Sequence, residues 1–235
     1  NVGGLVDLTP VADLPIAIVF MVQGGSEGGN ALADVLSGKV NFSGHLADSW
    51  PMNYAQIPDG ENFSSLNGDL ENEYYTEGRY VGYRYFDSFG VEPRFPFGFG
   101  LSYTTFAQTV TEVTLDGKTL AARVQVTNTG KVPGREVVQG YLHIPDSVAQ
   151  SLTAFAKTPV LTAGESCETT LTIDLADNAV YHEENACWEL PQGEYRLYIG
   201  KNSRDTVTAA ALTLAETVTV KQCRTCCKTP DSLQE

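Results

Sequence analysis

Leu120-Ala121-Ala122-Arg123-Val124-Gln125-Val126-Thr127, closed by Asn128-Thr129-Gly130 and followed by Glu136-Val137-Val138-Gln139-Gly140-Tyr141-Leu142-His143-Ile144-Pro145, decides the fold of the second half of this chain. Apolar and polar residues alternate with a period of two, the pattern of a strand with one face buried. The Asn-Thr-Gly cluster supplies a turn, and Pro145 ends the second run. Further short stretches of this kind are expected at 155–161, 167–173, 193–200 and 206–214. Short strands separated by turn signals over about 100 residues predict an antiparallel β-sandwich.

Toward the N-terminus the pattern changes near residue 107. Ile16-Ala17-Ile18-Val19-Phe20-Met21-Val22 is continuously apolar, as a strand of a parallel sheet covered on both faces would be. Gly24-Gly25-Ser26-Glu27-Gly28-Gly29 breaks it, and Asn30-Ala31-Leu32-Ala33-Asp34-Val35-Leu36 follows at helical spacing, with Gly38 placed to end the helix. A further strand is expected through Leu46 to Trp50-Pro51, and residues 52–77, rich in Asn, Gly, Ser, Asp and Glu, read as a surface loop. The aromatic run of residues 74–106 is too interrupted by Gly and Pro for a regular helix and is expected to wrap the domain and dock its rings. The predicted fold class is therefore α/β followed by all-β: a partial α/β sandwich domain of parallel-sheet type, then an antiparallel sandwich of the immunoglobulin or fibronectin type. The boundaries are 1–107, 108–218 and a polar tail or linker at 219–235.

The 235 residues suffice for two domains with a real core. A formal charge of −14 argues against a nucleic-acid or anionic-membrane partner, both of which demand a basic surface. No apolar run reaches the roughly 20 residues of a membrane span. No signal peptide is visible and the five cysteines form no dense even framework, so a reducing, cytoplasmic setting is expected. Cys223-x-x-Cys226-Cys227 lacks, in sequence, a second pair or a nearby His to complete a four-ligand zinc site, and no metal is expected. Asn41-Phe42-Ser43 and Asn62-Phe63-Ser64 fit the glycosylation sequon, which carries little without a secretory signal.

The glycine loop matches neither the phosphate-loop pattern nor the dinucleotide fingerprint, and Glu27 would put a carboxylate where an anion should bind. No cofactor is expected. His45, His143 and His182 lie far apart in unlike contexts, and no nucleophile elbow accompanies them. Tyr74, Tyr75, Tyr80, Tyr83 and Tyr85 could stack on sugar rings, although at this density most must be packing.

Several stretches in order resemble glycoside hydrolase family 3, the class of β-glucosidases and related exo-acting glycosidases. Gln23 through the glycine loop and helix is similar to the family's Gly-x-Glu-Gly-Gly-Asn-Ala segment. Asn41-Phe42-Ser43-Gly44-His45-Leu46 resembles its Pro-Ser-Gly-Lys-Leu continuation, with His45 in place of the usual lysine. Tyr80-Val81-Gly82-Tyr83-Arg84-Tyr85-Phe86-Asp87 and Phe95-Pro96-Phe97-Gly98-Phe99-Gly100-Leu101-Ser102-Tyr103-Thr104-Thr105-Phe106 resemble the end of its second domain. Asn128-Thr129-Gly130 with Gly134-Arg135-Glu136-Val137-Val138-Gln139-Gly140-Tyr141 resembles its fibronectin type III-like domain, and the likeness runs from about 16 to 214.

The resemblance implies a retaining enzyme, which works with two carboxyls about 5 to 5.5 Å apart and no cofactor. It places the nucleophile on a (β/α)8 barrel and the acid/base upstream of the glycine loop, so no catalytic residue is assigned here. Asp48-Ser49-Trp50 is a different segment from the family's Ser-Asp-Trp nucleophile triplet. Glu27 is the one candidate substrate-binding residue, at the mouth of a sugar pocket; otherwise it favours the positive end of its helix. The expectation is a structural, pocket-closing piece of a β-glucosidase-like enzyme, inactive alone, whose partners are the barrel and, through it, a β-linked oligosaccharide or glycoside. Barrel-first and barrel-last orders both occur in the family and stay open. The alternative is a non-catalytic carbohydrate-binding or adhesion module that uses the sandwich.

Overall fold

The computed structural model describes residues 3–62 and 68–224. The second half is built from strands β1 (Phe106–Asp116), β2 (Thr119–Asn128), β3 (Val137–His143), β4 (Ser151–Lys157), β5 (Ser166–Asp174), β6 (Val180–His182), β7 (Cys187–Leu190), β8 (Gly193–Gly200), β9 (Thr206–Leu214) and β10 (Val218–Gln222). They form sheets ordered β1-β2-β5, β4-β3-β8-β9 and β10-β7-β6, and every ladder is antiparallel. In β2, Leu120, Ala122, Val124 and Val126 are buried while Arg123 and Gln125 face solvent, as the alternation requires. Their buried faces meet Val138, Leu142, Leu171, Ile173, Tyr195, Leu197 and Ile199 in one core. The two larger sheets approach so closely at Gly140 that a Cβ there would stand 2.9 Å from Leu171 Cδ1.

Four strands escape the sequence reading: β1, which runs across the expected boundary at 107, and β6, β7 and β10. β6, β7 and β10 have three, four and five residues, too few to show a period, and β10 occupies the start of the stretch expected to be tail. Cys226 and Cys227, and the Phe63 and Ser64 of the second sequon, lie outside the described residues.

In the first half, helix α1 (Gly28–Leu36) forms as its spacing predicts. It ends where Gly38 adopts φ +77° and donates its N–H to Val35 O at 3.0 Å. The apolar run at 16–22, expected as a buried strand, belongs to no sheet among the described residues, and Ile16, Ile18 and Val22 are 52%, 48% and 47% exposed. A parallel strand exists only through neighbouring strands, and none of the described residues supplies one. The expected strand at 46–50 appears as a short antiparallel pairing with 95–99, through Leu46 N to Phe99 O, Gly98 N to Leu46 O and Trp50 N to Phe95 O, each 2.8 Å. Trp50 is buried and meets Phe20 and Phe95 edge-on.

The aromatic run contains one element not expected there, helix α2 (Tyr83–Ser88). Gly82 and Gly90, both with positive φ, bracket it, so glycine bounds the helix rather than preventing it. Most of the run lies against the sandwich. Tyr83 stacks on Phe97 with ring centres 4.4 Å apart, and both rings meet the fully buried Tyr141 edge-on.

Candidate functional site

Two places gather polar side chains the sequence singled out: the glycine loop, and the seam between the two halves. At the loop, Glu27 sits at the N-cap of α1 and is exposed. It makes no side-chain bond to the helix backbone, and its Oε2 accepts from Asn30 Nδ2 at 2.6 Å. The carboxylate is thus oriented by a neighbour yet open to solvent, a geometry suited to accepting hydroxyl protons.

The seam is built from residues on both sides. His45, following the first sequon, points Nδ1 at Gly98 O at 2.7 Å and Nε2 at Glu136 Oε1 at 3.5 Å; both side chains are mostly buried. Glu136 Oε1 also accepts from Val137 N at 2.8 Å. Gln139 Nε2 donates to Gly98 O at 3.0 Å and Lys201 O at 2.5 Å, while its Oε1 accepts from Tyr141 O–H at 2.6 Å. Burial holds the Tyr141 phenol far above its ordinary range, with Tyr83 and Asp87 adding to the effect, so it stays a neutral donor. Gly98 has φ +81°, and a Cβ on it would overlap the Gln139 amide. The backbone approach that makes this joint therefore needs glycine.

Arg204, at the β8–β9 turn, reaches back over α2. Its Nε pairs with Asp87, its Nη2 donates to Phe86 O and Val91 O at 2.9 Å each, and Nη1 lies 3.7 Å from Glu92. Ser203 N donates to Phe97 O at 2.9 Å, Ala149 N to Ser88 Oγ at 2.9 Å, and Leu152 N to the Tyr83 hydroxyl at 2.7 Å. Beside this joint lies an open groove of about 310 Å³ lined by Phe42, His45, Phe99, Arg135, Glu136 and Lys201 among others.

The structure does not bring Glu27 together with the seam residues in any hydrogen bond or ion pair among those described. Of the Asp48-Ser49-Trp50 triplet, Ser49 Oγ accepts from Phe97 N at 3.1 Å and Trp50 packs, while Asp48 is exposed. Among the tyrosines, Tyr80 meets Phe89, Tyr83 and Tyr85 pack on neighbouring rings, and Tyr74 and Tyr75 are exposed. His143 Nδ1 contacts Ala149 O at 2.9 Å. Sequence reasoning passed over Arg204 entirely; its only signal was a cation in a turn, opposite an Asp more than a hundred residues earlier.

Residues 1–103 match the model of the glycosyl hydrolase family 3 C-terminal domain, and residues 136–203 that of the fibronectin type III-like domain. Beta-glucosidase A of Butyrivibrio fibrisolvens is 41% identical over 88% of this chain and 28% of its own length. An exo-α-(1→6)-L-arabinopyranosidase of Bifidobacterium breve is 37% identical over 93% of this chain and 28% of its own length. Among solved structures, β-glucosidase 3B of Thermotoga neapolitana in complex with α-D-glucose superposes with a TM-score of 0.87 at 37% identity, over 94% of this chain and 31% of that one. The chain thus spans under a third of the length of these relatives. It carries, in the order the sequence predicts, the C-terminal domain of glycoside hydrolase family 3 and the fibronectin type III-like domain.

Proposed function

We propose that this chain is a scaffold part of a β-glucosidase-type hydrolase that removes β-linked glucosyl or similar units from non-reducing ends by a retaining mechanism. In that reading a (β/α)8 barrel supplies the chemistry, the first half closes one side of the sugar pocket with Glu27 at its mouth, and the sandwich braces it through the Arg204–Asp87 and His45–Glu136 joint. The observation that carries it is the contrast in burial. The sandwich core is closed, whereas Ile16, Ile18, Val22, Leu36 and Val40 of the first half lie about half exposed. Such an apolar face suits a larger domain more than open water. The free thiols Cys167 and Cys187 and the thiol of Cys223 fit a reducing, cytoplasmic setting.

Incubating the chain alone with an aryl β-glucoside should give no turnover, and measurable turnover would overturn the proposal. In a polypeptide joining the chain to a family 3 barrel, Glu27→Gln should raise KM several-fold with folding unchanged. If the isolated chain instead binds cello-oligosaccharides through the sandwich, the binding-module alternative is favoured.

A further inference from the structure

The groove beside the joint is lined by polar groups that the joint itself does not use. Arg135 and Lys201 both line it and are exposed, and neither the guanidinium nor the ammonium has a partner among the described residues. Glu136 and Asp205 line it too, and the Asp205 carboxylate is likewise unpaired. The turn that carries Lys201 and Asp205 is fixed from within: Lys201 N donates to Asp205 O at 3.0 Å, and Asn202 Oδ1 accepts from Arg204 N at 2.9 Å and Asp205 N at 2.8 Å. Phe42, Phe99 and Phe106 supply rings, Phe99 being held by stacking on Phe95 with ring centres 5.2 Å apart.

Past Lys201 and Asp205 a second hollow of about 360 Å³ follows, between the edge strands β1 and β9, and it shares Phe106, Lys201 and Asp205 with the first. Gln108 lines this extension, and neither its Nε2 nor its Oε1, both shut off from water, has a hydrogen-bond partner among the described residues. Buried amides are bonded in nearly all folded proteins, and one with both ends unmet is costly. A ligand group that donates and accepts at once satisfies either end when the side chain turns to the groove.

We propose that this groove is a binding site for a neutral sugar, separate from the pocket mouth assigned to Glu27 and not dependent on that assignment. The charged groups decide the class of ligand. Arg135 and Lys201 are balanced by Glu136 and Asp205, so the lining favours no ion of either sign. Sugar hydroxyls do both things such a lining asks: they accept from the two cations and donate to the two carboxylates. The phenylalanine rings give the C–H face of the sugar an apolar surface to lie on. A hollow of about 310 Å³ has the size of a small-molecule site, and the extension past Lys201 gives room for a second ring, whose hydroxyls meet the Gln108 amide.

The test is titration of the whole chain with D-glucose and with cellobiose, followed residue by residue by nuclear magnetic resonance. Saturable shifts in the millimolar range should gather at Phe42, Phe99, Arg135 and Lys201. Arg135→Ala and Lys201→Ala, which alter exposed, unpaired side chains and leave the fold intact, should each weaken both sugars about tenfold, the worth of one hydrogen bond to a charged group. Gln108→Leu should weaken cellobiose by a similar factor. Arg123→Ala, on β2 and paired with Glu112, should change nothing, and inorganic phosphate should neither bind at the groove nor displace the sugar. Absence of saturable shifts at the groove, binding unaltered by the three groove variants, or phosphate taken up in the sugar's place would overturn the proposal. Shifts confined to sandwich strands away from the turn at 201–205 would overturn it too, in favour of the binding-module alternative.

Discussion

In the sandwich, Val124, Val126, Val138 and Tyr141 are fully buried, whereas in the first half Ile16 and Leu36 are 52% and 58% exposed. The two regions do not differ in the kinds of apolar residue they hold. They differ in where the partners come from. The central sandwich strands β2, β3 and β8 find neighbours on both sides within about 100 residues of the same domain, so their apolar faces are covered and their backbone groups are paired. The first half takes much of its order from one edge, where residues 83–100 dock on the sandwich through Arg204, Gln139 and Tyr141.

Truncating the shared support of the sandwich should have the largest effect. Leu171→Ala, in the centre of the core, is expected to cost about 2–5 kcal/mol in denaturant unfolding followed by strand signals. If the loss were under 1 kcal/mol, the claim that the sandwich core is closed would fail.

The joint comes next. Arg204→Ala leaves the Asp87 carboxylate, only 6% exposed, without its cation, at a cost of about 2 kcal/mol given that Arg204 is itself one-third exposed. Hydrogen exchange should then quicken across residues 83–100 while β2 and β8 stay protected. Uniform quickening would mean that the two halves unfold as one unit.

Gly98→Ala sharpens the same contrast at a single atom. The added methyl meets the Gln139 amide at a backbone φ of +81°, so roughly 1–3 kcal/mol should be lost. Nuclear magnetic resonance should show the shifts confined to Gln139, Tyr141 and their neighbours.

The smallest effect is expected at Asp59, in the surface loop. Its carboxyl is held below the usual value by hydrogen bonds from Thr76 and Asn62. A lowered pKa gives a contribution that is present above the ordinary carboxylate range and is lost as pH falls through the lowered value. The tie between Asp59 and Thr76 should therefore open only in strong acid. Faster exchange of the Thr76 amide already at neutral pH in Asp59→Asn would agree, and an unchanged rate would remove the tether.

β2 was legible in the sequence because its period, its turn and its burial agree, and α1 because spacing and Gly38 mark both its body and its end. The run at 16–22 was read correctly as apolar yet forms no strand, since pairing depends on partners that local pattern does not contain. α2 and β6, β7 and β10 were hidden by shortness. At the candidate site, Glu27 was found through its loop, and Gln139 and Glu136 lay inside a recognised motif. Their bonds to Gly98 and His45 join residues 41 and 91 positions apart and could not be read locally. Arg204 was invisible for the same reason.

The joint also sets an order of events. Arg204 bonds to Phe86 O across 118 residues, and Gln139 to Gly98 O across 41. Contacts of such sequence separation form late, after local loops have closed. During synthesis the first half leaves the ribosome before the sandwich, yet it cannot complete this joint until the β8–β9 turn has followed it out. Of the two halves, the one made earlier is finished later, and through that interval its half-exposed apolar run at 16–22 is open to misassociation.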